Sequence, residues 1–300
     1  MIQQEPGAVP LTEAESSDIF RADPDGHIEM GAGRGAVAYR RVGNGPDVVF
    51  SHGWPVSSAT FRRLLPILAP HVTCHLLDYV GAGSSRFDAA TEVSIAGHIS
   101  ALRRTVDHLG LTDFAVVGHD SGGLIARHAL AGDPRVRAMG LVNTEPASGV
   151  SWRFKLFLAN RNIPGFAGML GWLVSRRRLR ANKFVLGDAF VDRDLLNGEF
   201  DEFFLEPLHR ERARQITAIR ILRSFDTGYL DELAGLHARV EVPTRLVWGT
   251  ADPFFPVGKA RADVETFPDA SLVEVDDAGL FVHEERPEEV AGALLEVIAQ

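Results

Sequence analysis

The chain has 300 residues, 45% hydrophobic and 24% charged, which is enough for a substantial buried core. A formal net charge of −9 argues against nucleic acid as a partner, and a single cysteine, Cys74, excludes an internal disulfide. No apolar run is long enough to span a bilayer and no basic segment with an apolar core opens the chain. A cytoplasmic protein without a membrane partner is therefore expected.

Residues 1–25 are expected to form a mobile N-terminal arm, since the stretch to Asp18 is polar, holds Pro6 and Pro10, and shows no sustained period. Strands are then predicted over 37–39 and 48–50, around the turn Gly43-Asn44-Gly45-Pro46. A helix is expected over about 58–68 and a strand over 72–77, and Ile95, Ile99, Leu102, Val106 and Leu109 repeat at helical spacing. A strand over 114–117, its following helix, and a strand over 138–142 come next. Two further strands are predicted over 245–248 and 271–275, and a helix opened by Pro287 closes the chain. Strands alternating with helices predict an α/β fold, with a mainly parallel sheet flanked by helices.

Between Pro146 and about Leu236 the alternation stops. This helical stretch carries nine of the 18 phenylalanines, with Trp152 and Trp172. The expected division is a core over 26–145 and 237–300 and a helical cap over 146–236. Such an insertion would lie over the carboxyl ends of the strands, where open α/β sheets bind ligands. Its aromatic content favours an apolar small-molecule substrate. The run Arg176-Arg177-Arg178 reads as a solvated face.

The motif Gly118-His119-Asp120-Ser121-Gly122-Gly123 joins the 114–117 strand directly to an apolar helical stretch. Glycines two residues before and after Asp120 let the backbone fold back, which sets Asp120 on a strained corner at the start of the helix. That is the geometry of a nucleophile elbow; the plain alternative is a turn in which Asp120 caps the next helix. A serine at the apex would suit acyl transfer. A carboxylate is a poor nucleophile toward carbonyls but attacks saturated carbon bearing a halide or a strained epoxide oxygen. In His52-Gly53-Trp54-Pro55, the Trp54 N–H is placed to pair with that of Ser121 as an oxyanion site, and His52 reads as a loop-structuring residue.

In order along the chain, these motifs, Asp78 to Ser84, Trp248-Gly249-Thr250-Ala251-Asp252-Pro253 and Gly279 to Pro287 resemble the α/β-hydrolase superfamily. Within it the chain is similar to the epoxide hydrolase and haloalkane or haloacetate dehalogenase branch, over roughly residues 27–299. The resemblance implies an α/β-hydrolase fold with an inserted helical cap. It makes Asp120 the nucleophile and Asp252 the acid that orients a histidine; without it, Asp252 is a loop carboxylate in an Asp-Pro turn. Glu145 occupies the place where some dehalogenase-like relatives keep their acid, and is a second candidate or a cap-hinge residue. No cofactor and no metal are expected.

The chain also departs from that pattern. The resemblance implies a histidine base in Gly-His-Phe-x-x-x-Glu-x-Pro, and here Leu280 stands in its place. Leucine cannot accept a proton, so the water that should split an aspartyl ester has no activator. His283, three residues on and about 4.5 Å along a helix, is not a ready substitute. Two explanations fit Leu280: an engineered substitution that halts the reaction after alkylation, or a natural residue in a protein whose reaction needs Asp120 but no hydrolytic base, or no covalent chemistry at all. Ser121 replaces the tryptophan that dehalogenase-like enzymes use to hold a halide, leaving the Trp54 indole as a single donor. Arg127 lies too far along its helix to match the carboxylate-holding arginines of the haloacetate branch. Epoxide opening implies two cap tyrosines, and of Tyr39, Tyr79 and Tyr229 only Tyr229 is near the cap. The expected function is attack of Asp120 on an epoxide or halogenated carbon of an apolar small molecule, with impaired turnover. A non-hydrolytic cyclase or rearrangement enzyme and an esterase using Ser121 remain the alternatives, with a monomer or homodimer equally open.

Overall fold

The computed structural model describes residues 11–300. Eight strands form one sheet: β1 (Gly26–Glu29), β2 (Ala36–Gly43), β3 (Asp47–Ser51), β4 (Thr73–Asp78), β5 (Phe114–His119), β6 (Val136–Val142), β7 (Thr244–Gly249) and β8 (Ala270–Val275). Their order is β1-β2-β4-β3-β5-β6-β7-β8. Strand β2 runs antiparallel to both β1 and β4, and every pairing from β4 to β8 is parallel. All six residues of β5 are buried, as a strand covered by helices on both faces requires. The predicted strands are all present, and β1 is an addition.

Two local expectations differ. The helix expected over 58–68 splits into a 3₁₀ turn, Ser58–Phe61, and a short α-helix, Leu65–Leu68. Pro66 lies in the first turn of the second piece, where a missing N–H is tolerated; deeper in a helix it would break it. The first ten positions of the expected arm lie outside the described residues. Within the rest of it, Glu13–Arg21 is a helix, opened by a capping box in which the Thr12 side chain accepts the Glu15 N–H and the Glu15 carboxylate accepts the Thr12 N–H. Phe20 of this helix is buried, and Ser16 Oγ donates to the Arg62 carbonyl at 2.5 Å.

Between β6 and β7 the regular structure of the described residues is entirely helical. The longest pieces are Trp152–Asn160, Phe166–Ser175 and Arg212–Ser224. The turn from β5 into helix Ser121–Leu130 is possible because the chain comes very close to β3 there. A Cβ on Gly122 would lie 2.1 Å from the Ser51 carbonyl oxygen. Gly122→Ala must therefore push the helix off the sheet. We expect it to cost about 3 kcal/mol of unfolding free energy, measured by urea titration.

Candidate active site

Asp120 stands where β5 ends and helix Ser121–Leu130 begins, with φ 50° and ψ −136°. Such a conformation is costly for a residue with a side chain, and the surroundings hold it in place. The Asp120 N–H is shared by the carbonyls of Val142 and Asn143, and its carbonyl accepts from Thr144 Oγ1 at 2.7 Å. Asp120 makes no side-chain cap to its helix, so the capping alternative does not hold. Its carboxylate turns instead toward the loop after β3. There the Trp54 N–H donates to Oδ2 at 2.7 Å, and the nearby Ser121 N–H favours the ionised form of the same carboxylate. Gly53 makes room for this contact, since a Cβ there would sit 2.4 Å from Oδ2.

The carboxylate opens into a cavity of about 690 Å³ between the sheet and the helical segment. Ser121, Glu145, Trp54 and Leu280 border it, and most of the remaining wall is apolar, with Phe154, Phe157, Phe225, Phe255 and Phe281 prominent. Burial pushes the Asp120 carboxyl well above the usual carboxylate range, and the charge of Glu145 adds to the effect. Glu145 is itself raised by burial, moderated by the Arg127 guanidinium and by Thr144 Oγ1, which lies 3.0 Å from Oε2.

Asp252 lies behind this wall, buried. Oδ1 accepts the N–H groups of Phe254 and Phe255 at 2.7 and 3.1 Å, and Oδ2 accepts Asn143 Nδ2 at 2.7 Å. Its turn is tied to the segment carrying Leu280, because the Ala251 N–H donates to the Ala278 carbonyl. With burial dominant and only neutral donors around it, its pKa is pushed up to about 7. A carboxyl that holds its proton more tightly when folded stabilises the fold fully below about pH 4. That stabilisation is lost as pH rises through about 7, at roughly 1.4 kcal/mol per unit. Asp252→Asn should flatten the stability profile by that slope between pH 4 and 7, and denaturant titrations across the window would reveal a slope left unchanged.

Leu280 faces the cavity beside Asp120, and its carbonyl accepts a hydrogen bond from His119 Nε2 at 3.0 Å. His283 points the other way. It is fully buried against Phe61 and His119, with Nε2 2.7 Å from Thr60 Oγ1, and burial holds its pKa well below the ordinary histidine value. Among the described residues, no histidine lines the cavity.

Tyr229 also falls outside the cavity wall: its ring packs edge-on against His128, and the helical segment turns it away from Asp120. The Trp54 indole is engaged too, donating to the Ala218 carbonyl at 3.0 Å, so it is not a free halide donor. His52 is engaged on both ring nitrogens, with Nδ1 2.9 Å from the Gly53 carbonyl and Nε2 accepting the Tyr79 N–H. Ser121 Oγ lies 3.4 Å from Asp120 Oδ2.

Asn143 is not singled out by sequence reasoning, yet it has φ 31° and bridges Asp252 to the Gly249 N–H at the end of β7. Arg127, which sequence reasoning marks only as badly placed for substrate, has a structural task. It is fully buried and bonds Thr144 Oγ1, the Glu145 carbonyl, the Gly123 carbonyl and His237 Nε2. The signal for both lies in Asn143-Thr144-Glu145, three polar residues following an apolar strand at the sheet's carboxyl edge.

The α/β hydrolase fold family matches residues 46–287. The chain belongs to this family. Among its α/β-hydrolase relatives, a pimeloyl (acyl-carrier protein) methyl ester esterase of Chromobacterium violaceum is 31% identical over 243 residues, covering 79% of this chain and 88% of that protein. Haloalkane dehalogenase 2 of Mycobacterium bovis is 27% identical over 270 residues, covering 88% and 91% of the two chains. The crystal structure of a haloalkane dehalogenase from Bradyrhizobium elkani superposes with a TM-score of 0.75 at 20% identity, covering 91% of this hydrolase-fold chain and 97% of that one.

Proposed function

We propose that this α/β-hydrolase family member attacks an epoxide or halogenated carbon of an apolar small molecule with Asp120, forming an alkyl ester on that side chain as the carbon–halogen or ring carbon–oxygen bond breaks; halide departs as the anion, and an opened ring oxygen takes its proton from water. The observation that carries the reading is the posture of the Asp120 carboxylate. One oxygen is held by the Trp54 N–H at 2.7 Å while the group borders an apolar cavity. A nucleophile held in this way is oriented before substrate arrives, and the same N–H groups would stabilise an oxyanion at its Cγ. In this reading residues 146–236 act as a cap over the core. Asp252 and Glu145 are the candidate acids, and the carboxylate attacks in its ionised form despite the burial that raises its pKa.

Leu280 decides the fate of that ester. Hydrolysis of an aspartyl ester needs a base for water, and a leucine at the cavity wall offers none. The ester should therefore persist. Intact-protein mass after incubation with a panel of epoxides and haloalkanes, followed by peptide mapping, tests this. A stable adduct on the peptide holding Asp120 supports the reading, and an unchanged mass across the panel overturns it.

One observation favours a second reading. Asp120 and Glu145 border the cavity and Asp252 lies behind its wall, with no histidine on the described lining, an acid-rich setting suited to a cyclisation or rearrangement that passes protons without hydrolysis. An esterase using Ser121, as the Chromobacterium relative would suggest, has less support: the Ser121 hydroxyl faces a carboxylate at 3.4 Å, not an imidazole.

A further inference from the structure

The large hydrophobic side chains that stand exposed among the described residues number seven, and all of them fall between Trp152 and Val191. The same part of the chain is strongly basic. Residues 151–187 hold eight lysines or arginines and no aspartate or glutamate, in a chain whose net charge is −9. The compensating acidic excess lies elsewhere, so the molecule is electrically lopsided.

Helix Trp152–Asn160 is the clearest case. Phe154 and Phe157 turn inward and line the cavity. On the other side Trp152, Lys155, Leu156 and Ala159 form an exposed stripe at i, i+3, i+4 and i+7. Packing against the core explains the inner face alone. Arg153 then joins this stripe to the next exposed ring. Its guanidinium carbon lies 5.7 Å from the Trp152 ring centre and 5.4 Å from that of Phe184, and Lys183 Nζ lies 5.2 Å from the Phe184 ring. Trp152 is 65% exposed and Phe184 63%; Arg153 between them is paired with Asp188 at 3.0 Å, so Lys155, Lys183 and the arginine run supply the unpaired positive charge around the two exposed rings. The exposed guanidinium run Arg176-Arg177-Arg178 follows on the same segment.

Free aromatic and aliphatic side chains among lysines and arginines match the boundary between water and anionic lipid. Tryptophan rings favour headgroup depth, apolar side chains enter the acyl boundary, and basic groups are drawn to the negative surface. The charge asymmetry would also turn this face, and not the acidic remainder, toward such a surface. No described helix is long and apolar enough to cross a membrane. The expectation of no membrane partner rests on the lack of a spanning segment, which does not bear on a peripheral contact.

We propose that the exposed stripe of helix Trp152–Asn160 and the adjoining Phe184 loop dock on an anionic lipid bilayer. The inner face of the same helix lines the cavity, so an apolar substrate dissolved in lipid has a short path to Asp120; this delivery role rests on the function proposed above. Co-sedimentation with phosphatidylcholine vesicles, with and without phosphatidylglycerol, tests the docking itself. The expected result is binding to the anionic vesicles, about tenfold or more weaker on phosphatidylcholine alone, and strongly reduced at about 1 M salt. The triple substitution Trp152→Ser, Leu156→Ser and Phe184→Ser should abolish it, and Arg176→Ala with Arg177→Ala and Arg178→Ala should weaken it about tenfold. These side chains are solvent-facing, and an unchanged thermal transition checks that each variant folds. Asp120→Asn should bind vesicles like the native chain, which separates failure of docking from failure of the chemistry. No sedimentation with anionic vesicles overturns the proposal, as does full binding by the serine variant. Binding of acyl carrier protein in the absence of any vesicle binding would reassign the face to an acidic protein and likewise overturn it.

Discussion

Asp120→Asn is expected to abolish covalent labelling while leaving the fold intact. With an electrophile that alkylates the native chain, the variant should show a labelling rate lower by at least about a thousandfold, since an amide is no nucleophile toward saturated carbon. The substitution is nearly isosteric, and the amide oxygen can still accept the Trp54 N–H that now holds Oδ2 at 2.7 Å. It also removes a buried carboxyl whose charge is opposed by burial and by Glu145. Stability at neutral pH should therefore be equal or higher, a direction that a merely structural carboxylate would not give. Peptide-mapped mass spectrometry beside a urea titration reads both quantities. Labelling that survives in the variant would move the nucleophile elsewhere.

Leu280→His should convert a stalled adduct into turnover. Leu280 already faces the cavity beside Asp120, and its segment is tied to the Asp252 turn. An imidazole there would find a buried carboxyl in need of a cationic partner. It would act as general base on water, a contribution worth about 10² to 10⁴ in rate. The expected outcome is an adduct lifetime shortened by at least about a hundredfold, with release of the alcohol or diol and a rate that rises as the imidazole loses its proton. Adding Asp252→Asn should cancel most of the gain, because the ring would lose its orienting acid. An adduct that decays no faster in Leu280→His would mean that position 280 is not the missing base.

The parts of the site that are legible in the sequence are those carried by local chain geometry. A six-residue buried strand, two glycines and a helix start dictate the corner at Asp120 without reference to anything distant. Leu280 is equally legible, since its spacing from Gly279 and Pro287 is a property of one short segment. The features that escape depend on rotation and on remote partners. Tyr229 lies in the helical stretch between β6 and β7, but its ring packs against His128. The Trp54 indole reads as free because Ala218, its acceptor, is 164 residues away. Asn143 gains its importance only when β6 and β7 lie side by side and its amide spans Asp252 and Gly249. The helix Glu13–Arg21 is different. Its capping box, Thr12 with Glu15, stands in the sequence and is outweighed by the polar composition around it.

Trp54 serves two layers at once: its amide grips the aspartate, and its ring is latched to the carbonyl of Ala218 in helix Arg212–Ser224. Any outward swing of that helix either unlatches the ring or pulls on the loop that carries the amide. The seat of that helix and the aim of the carboxylate are thus geared through one residue, so a change at either end would be felt at the other.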